Sequence, residues 1–317
     1  MATYSHNKKV CGIEGLYVGA VGSEKAVVDA LGRMYLNFEP GSQFFVDSAT
    51  GSASNDGLTW ATALASIDSA VGKCTANKGD VIWVAPGHNE GITTAAAIDL
   101  DVAGITVIGL GSGSLKPTID FDNAAASVAI GANDVTVSNI RFRTSANAVT
   151  VGLDIEAGKD YAKVLNCEFG FAETATDEFA IALRNNAGCD GTVIDGCFFG
   201  AGAQAAVTAI SITGASDDVI IKNCRFTGAH STACINGITT LSTNLLIKDN
   251  IMQQGATEPG IELLTGTTGV IANNYIATNL ATIAASIVAD GCWLFENYYS
   301  EVAPETGALI GTASAND

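Results

Sequence analysis

The acidic side chains are the first place to look for chemistry. Asp120 and Asp122 alternate around Phe121 in TIDFDN, so both point away from a core that takes Phe121. Asp154 and Glu156 do the same around Ile155 in LDIEAG. Carboxyl pairs at this spacing suit the acid/base work of glycosidic cleavage or Ca²⁺ binding. The same spacing also describes a solvated strand face carrying ion pairs. Arg184, placed beside Glu156 one coil further on, fits that second account. These four residues are the catalytic candidates. Neither pair is accompanied in sequence by the Arg, Lys or His cluster that lyase or hydrolase chemistry uses.

The remaining chemical signals are weaker. Asp217 and Asp218 are adjacent, just before an apolar strand, where Asp favours a turn. Glu262 in GIELLTG stands alone. His6, His88 and His230 lie in unlike contexts, and no zinc spacing, nucleophile elbow or phosphate loop occurs. GLGSGS, from Gly109 to Ser114, reads as a corner and not as a nucleotide loop, because no helix follows it in the pattern. No cofactor is expected, and Ca²⁺ is the one metal the carboxylates would suit.

The elements that must position these side chains come from a repeat. VIIKNCRF (Val219 to Phe226) recurs as VTVSNIRF from Val135, AKVLNCEF from Ala162 and TVIDGCFF from Thr192. Weaker copies start at Leu245, Gly269 and Cys292. In register they form three columns. The first is Val137, Val164, Ile194, Ile221, Ile247, Ile271 and Leu294. The second is Ile140, Cys167, Cys197, Cys224, Asn250, Asn274 and Asn297. The third is Phe142, Phe169, Phe199, Phe226, Met252, Ile276 and Tyr299. A repeat of this length means a solenoid. Its alternating Val, Ile and Phe mean strands, with Gly supplying corners. The expected fold is all-β: a right-handed parallel β-helix solenoid over residues 43–300 with a short helix-containing N-terminal cap.

Outside the repeat, Ser23 to Leu36 reads as a helix with Ser23 as N-cap, inside a cap or attachment arm over residues 1–42. Residues 301–317 read as a C-terminal tail. Between residues 44 and 87, a strand, a Gly/Ser/Asn/Asp loop and a short helix precede the strand from Asp80. Leu64, Ile67, Ala70, Val71 and Cys74 give that helix one apolar face, suited to plugging the first coil.

Fifteen basic against 33 acidic residues give a formal charge of −18. That balance disfavours nucleic acid and anionic membrane as partners. No apolar run reaches the length of a membrane helix. MATYSHNKKVCGIEG lacks the apolar core of a secretory signal. The eight Cys are expected to be reduced and buried.

The opening VD…GS.SNDGLTWATA…I..AV…GDVIWVAPG, followed by V.I.NC.F coils, resembles the pectate-lyase-like right-handed β-helix superfamily over roughly residues 43–300. Members include polysaccharide lyases, glycosidases, and bacteriophage tailspikes and other virion proteins. The resemblance implies the fold far more than an activity. The polygalacturonase NTD, GHG and RIK triplets are missing, and so is the Arg–x–Pro–x–Arg pattern of pectate lyases. The favoured expectation is a bacteriophage virion structural protein: a spike, fibre or capsid decoration. It would be located on the virion, facing a receptor or surface polysaccharide, and contact other virion proteins through its N-terminal region. A polysaccharide lyase or glycoside hydrolase is the alternative, and a bacterial surface adhesin the third. Small residues, Ala203, Ala205 and Ala206 and then Ala281, Ala284 and Ala285, are expected on flat outer faces that pack into a homotrimer.

Overall fold

The structure, a computed structural model, describes residues 16–18, 26–28, 34–36, 41–170, 177–202, 206–278, 280, 285–301 and 308–315. The chain divides into two compact units, Met1–Ser42 and Gln43–Asp317. In the first, Leu16–Val18, Ala26–Val28 and Met34–Leu36 form a three-stranded antiparallel sheet. The helix expected over Ser23 to Leu36 is therefore absent where that stretch is described. Its register of small and apolar residues satisfies a helix, but Val27 and Val28 are β-branched and fit a pleated sheet better.

The second unit is a parallel β-solenoid of about eight turns with very little helix. Each turn lays down three short strands. The first face starts at Gln43–Val46 and Val81–Val84 and ends in Cys292–Glu301. The second runs from Asn89–Ile92 through Tyr275–Thr278 to the second half of Cys292–Glu301, which spans both faces. The third, an eight-stranded sheet, runs from Ile98–Asp99 to Ile287–Val288.

Equivalent residues stand directly above one another, as the sequence columns require. Val137, Val164, Ile194, Ile221, Ile247, Ile271 and Leu294 pair in unbroken succession. Phe142, Phe169, Phe199 and Phe226 are likewise in register, their rings parallel to within 8° at centroid spacings of 4.6, 4.9 and 5.0 Å. These spacings match the roughly 4.8 Å between neighbouring strands, so the Phe stack follows the backbone pitch without strain. Cys167, Cys197 and Cys224 are buried free thiols, followed on the next rungs of the same column by the buried Asn250, Asn274 and Asn297.

The bend between the first two faces explains the residue before the Cys/Asn column. Asn139, Asn166, Asn223, Asn273, Asp249 and Gly196 all adopt positive φ, between 53° and 67°. Asn, Asp and Gly tolerate this left-handed conformation best. The Asn side chains also bridge rungs: Asn139 Nδ2 donates to Gly109 O at 2.7 Å, and Asn223 Nδ2 to Asp195 Oδ1 at 2.8 Å.

The start of the solenoid is closed by the stretch from Gly57 to Val71. Phe45 N–H donates to Gly57 O, and Leu64 N–H to Phe45 O, so this segment covers the edge of the first strand. The helix is Ile67–Val71, N-capped by Ser66, and it buries Ile67, Ala70 and Val71 under the first coil. At the other end Ala308–Ala315, in the stretch read as a tail, is a strand that pairs antiparallel with Cys292–Glu301. Of the small residues expected on flat outer faces, Ala206 is buried and Ala285 half-buried. Ala203, Ala205, Ala281 and Ala284 lie outside the described residues.

Candidate functional site

The four carboxylates fall on two different faces. Asp120 and Asp122 belong to the second face, on and just after Thr118–Phe121, and Phe121 between them is fully buried. Asp154 and Glu156 belong to the third, on and just after Val149–Ile155. The alternation read from sequence is correct, and it does not bring the two pairs together.

Each pair has local partners. Asp120 is opposite Arg143 on the next rung, and Arg143 Nη2 donates to Asp120 Oδ2. Asp120 is only 7% exposed, and its Oδ1 is buried without a hydrogen-bond partner. Asp122 Oδ1 accepts from Ser145 Oγ at 2.6 Å. A single basic residue, Arg143, thus accompanies the first pair, a contact that the sequence reading did not identify. Arg184 lies opposite Asp154 and not Glu156, with Nε donating to Asp154 Oδ1 at 2.8 Å and Nη2 to Oδ2. Asn186 Nδ2 adds a third hydrogen bond to Asp154 at 2.7 Å.

Glu156 faces a different neighbour. On the third face Asp99 pairs with Ala129, and Ala129 with Asp154, so a rung of small residues separates two acidic rungs. Burial, then the negative charges of Asp101, Glu156 and Asp68, push the Asp99 carboxyl above the usual carboxylate range. Asp99 is an acid that sequence reasoning missed. Its signal was its place two rungs below Asp154 in the same outward column.

Beside Asp120 lies a second charged group. Lys116 Nζ and Arg141 Nε each donate to Glu168 at 2.9 Å, and Lys116 also reaches Asn166 O. Burial raises the Glu168 carboxyl, but the two cations outweigh it and hold it below its ordinary value. Both cations are thus bound to the one carboxylate.

The other sequence signals resolve as structure. Asp218 takes φ 58° at a corner. Asp217 Oδ1 accepts from Thr243 N–H, Asp190 Oδ1 from Asp217 N–H and Asp160 Oδ1 from Asp190 N–H, a carboxylate ladder that satisfies corner backbone. Glu262, raised by burial and by Glu258, accepts from Asn236 Nδ2. GLGSGS is a corner with a single 3-10 turn, Gly113–Leu115. His6 lies outside the described residues.

His88 and His230 are both buried. Ser48 N–H donates to His88 Nδ1 at 3.0 Å, which leaves the ring proton on Nε2 to reach Glu90 Oε2 at 3.1 Å. Glu90 Oε2 also accepts from Ile67 N–H at the start of the short helix. His88 and Glu90 therefore lock the opening loop, helix and second face together. His230 lies 3.7 Å from Cys234 Sγ. Burial drives the imidazole down to about 4 and the thiol up to about 12, so both are neutral and shielded from substrate. Among the described residues no group of three or more His, Cys, Asp or Glu side chains is arranged to hold a metal ion.

No family model matches the sequence, and no curated protein matches it. Solved structures with a similar fold include the pectate lyase Pel9A, at 13% identity and TM-score 0.43, covering 85% of this chain and 80% of that one. A rhamnogalacturonan lyase follows at 13% and 0.41, covering 75% and 74%. PfbA, a surface adhesin of Streptococcus pneumoniae, matches at 12% and 0.35, covering 79% and 91%. At these identities the likeness is one of fold alone, and it spans cleaving enzymes and an adhesin without choosing between them.

Proposed function

We propose that the protein is a structural, receptor-facing component of a bacteriophage virion, a spike, fibre or capsid decoration, with no glycan-cleaving chemistry of its own. In this reading it acts as a homotrimer on the virion and meets other virion proteins through its N-terminal unit. One observation carries the non-catalytic part: the candidate carboxylates are split between two faces, and Asp120 and Asp154 are each held by an Arg on the adjacent rung. Cleavage of a glycosidic bond needs two carboxyls facing one sugar across roughly 5–10 Å. A carboxylate held in a charge-assisted hydrogen bond by Arg has that oxygen occupied and turned away from a sugar.

Two experiments test the proposal. Purified protein is incubated with acidic and neutral polysaccharides, and unsaturated products and new reducing ends are measured; none is expected. Antibody against the protein should label intact particles, and particles free of it would remove the virion assignment.

A second reading, a glycoside hydrolase, is favoured by one feature. Burial first, then the charges of Asp101, Glu156 and Asp68, raise the Asp99 carboxyl, and a raised carboxyl close to a second carboxylate is the direction in which a hydrolytic acid is tuned. Turnover abolished by both Asp99→Asn and Glu156→Gln would install that enzyme in place of the structural reading.

A further inference from the structure

The outer side of the second face changes character along the solenoid. Its first rungs carry Thr118, Arg141 and Glu168 in one outward column. From there the same column continues as Phe198, Arg225, Ile251, Tyr275 and Tyr298, each in register with the next. Ile251 is 55% exposed, Tyr275 51% and Tyr298 38%. On the adjoining first face the last rung adds Trp293 at 51% and Phe295 at 36%. Five large apolar side chains are thus left exposed within the last three turns of the solenoid.

Together they offer about 400–500 Å² of apolar surface, taking half of the usual area of an aromatic side chain for each. Isolated exposed apolar residues need no explanation. Here Ile251, Tyr275 and Tyr298 follow one another in register on successive rungs, with Trp293 and Phe295 across the corner, and exposed apolar side chains grouped in this way suit a contact surface. A stable protein interface takes roughly 800 Å² from each partner, with a hydrophobic centre and a polar rim. The patch supplies that centre, and Thr227 and Gln253, in the next outward column, supply polar groups on one side of it.

The ring geometry bears on the occupant. Tyr275 and Tyr298 stack on each other with centroids 4.9 Å apart and planes 11° from parallel. Their facing surfaces are used within the column, and a sugar ring that needs an open aromatic face finds mainly edges. Charge bears on it as well. From Phe198 onward neither outward column of the second face carries a carboxylate, although the whole chain has a formal charge of −18. The nearest acidic side chains, Asp249 and Glu296, stand at the corner beside it. Two copies of so acidic a chain repel wherever their carboxylates meet, and they approach at least cost where carboxylates are missing. Arg225, exposed and 5.9 Å from the Phe198 ring centroid, adds the Tyr/Trp/Arg composition typical of interface centres.

We infer that the column Arg225–Ile251–Tyr275–Tyr298, with Trp293 and Phe295 beside it, is the surface through which copies of this chain associate. The inference rests on the homo-oligomer part of the proposed function and gives it a location.

The test uses the full chain and measures mass by light scattering across a micromolar dilution series. Tyr275→Glu and Ile251→Lys are compared with the unaltered protein. Both side chains point outward, so circular dichroism and the melting temperature should stay close to those of the parent. The parent should be oligomeric, and each variant should dissociate at a concentration at least tenfold higher. An oligomeric parent whose variants dissociate no more readily would overturn the surface and leave the oligomer standing. A parent that is monomeric throughout would overturn both. A monomer whose tryptophan fluorescence shifts with neutral oligosaccharides, and no longer shifts in Trp293→Phe, would give the surface to a glycan instead.

Discussion

Asn274 Nδ2 donates to Asn297 Oδ1 at 2.9 Å, one rung further along the solenoid. Its own Oδ1 accepts from Asn250 Nδ2, also at 2.9 Å, and from Asn250 N–H at 3.1 Å. Nδ2 of each of the three Asn also reaches a main-chain oxygen, of Ile221, Ile247 or Ile271. A polar column thus passes through an apolar core with its amides paired. Where it ends, Cys224 N–H donates to Asn250 Oδ1 and the column continues as thiols.

Asn274→Leu should destabilise the solenoid although it adds apolar volume. It removes the acceptor of two Asn250 donors and the donor to Ile247 O. An orphaned buried polar group costs about 1–3 kcal/mol. A drop of several degrees in melting temperature is expected. Melting at or above the parent temperature would mean that the Asn ladder carries no stability.

Phe226→Ala should cost about 3–5 kcal/mol, the usual penalty for emptying an aromatic core site. Phe226 is fully buried, with the Phe199 ring on one side and Met252 in register on the other. Phe226→Leu should recover most of the loss, because it restores bulk without the ring. Denaturant midpoints for the three proteins check the order.

The interior columns were legible because in-register parallel strands make equal residues meet, and a two-residue alternation survives in the sequence. The outer faces were legible only where the turn length is constant. Asp154 and Arg184 lie 30 residues apart, the interval that also separates Cys167 from Cys197, so strict counting gives their contact, where the looser reading set Arg184 beside Glu156. Asp120 and Arg143 lie 23 residues apart, while Val107 and Val137 in the same pair of turns lie 30 apart. The corner from Leu110 to Pro117 lengthens the lower turn between those two positions. That local insertion hid the Arg143 contact and made Asp120 look unaccompanied. The antiparallel sheet of the first unit was missed for a different reason. Its short strands carry no repeat, and small and apolar residues at helical spacing outweighed the β-branched pair.

Arg143→Ala should destabilise more than a surface charge deletion. It leaves Asp120, nine-tenths buried, without the guanidinium. Breaking a fully buried pair costs about 3–5 kcal/mol. Arg143 is nearly a third exposed, so solvent screening brings the expected loss to about 1–3 kcal/mol. Arg143→Ala combined with Asp120→Asn should regain part of it. Equal stability of the single and double variants would show that the pair is not coupled.

His230 gives the solenoid a pH dependence whose sign can be worked out. Burial holds its imidazole at about 4, against about 6.5 in an unfolded chain. Between these values the unfolded state takes up a proton that the native state refuses, so stability falls as pH is lowered from about 6.5 to about 4. The full effect is on the order of 3 kcal/mol, from 1.36 kcal/mol per unit. Carboxylates held low, such as Asp47 and Glu168, lose their contribution only at more acidic pH, and Asp99 and Glu262, held high, act in the opposite sense. The parent must therefore be compared with His230→Gln, which keeps a polar side chain near Cys234 but cannot titrate. Urea unfolding at pH 7 and pH 4.5 should show a smaller loss of stability on acidification in the variant. Equal losses would place the pH dependence in the carboxylates and leave His230 silent.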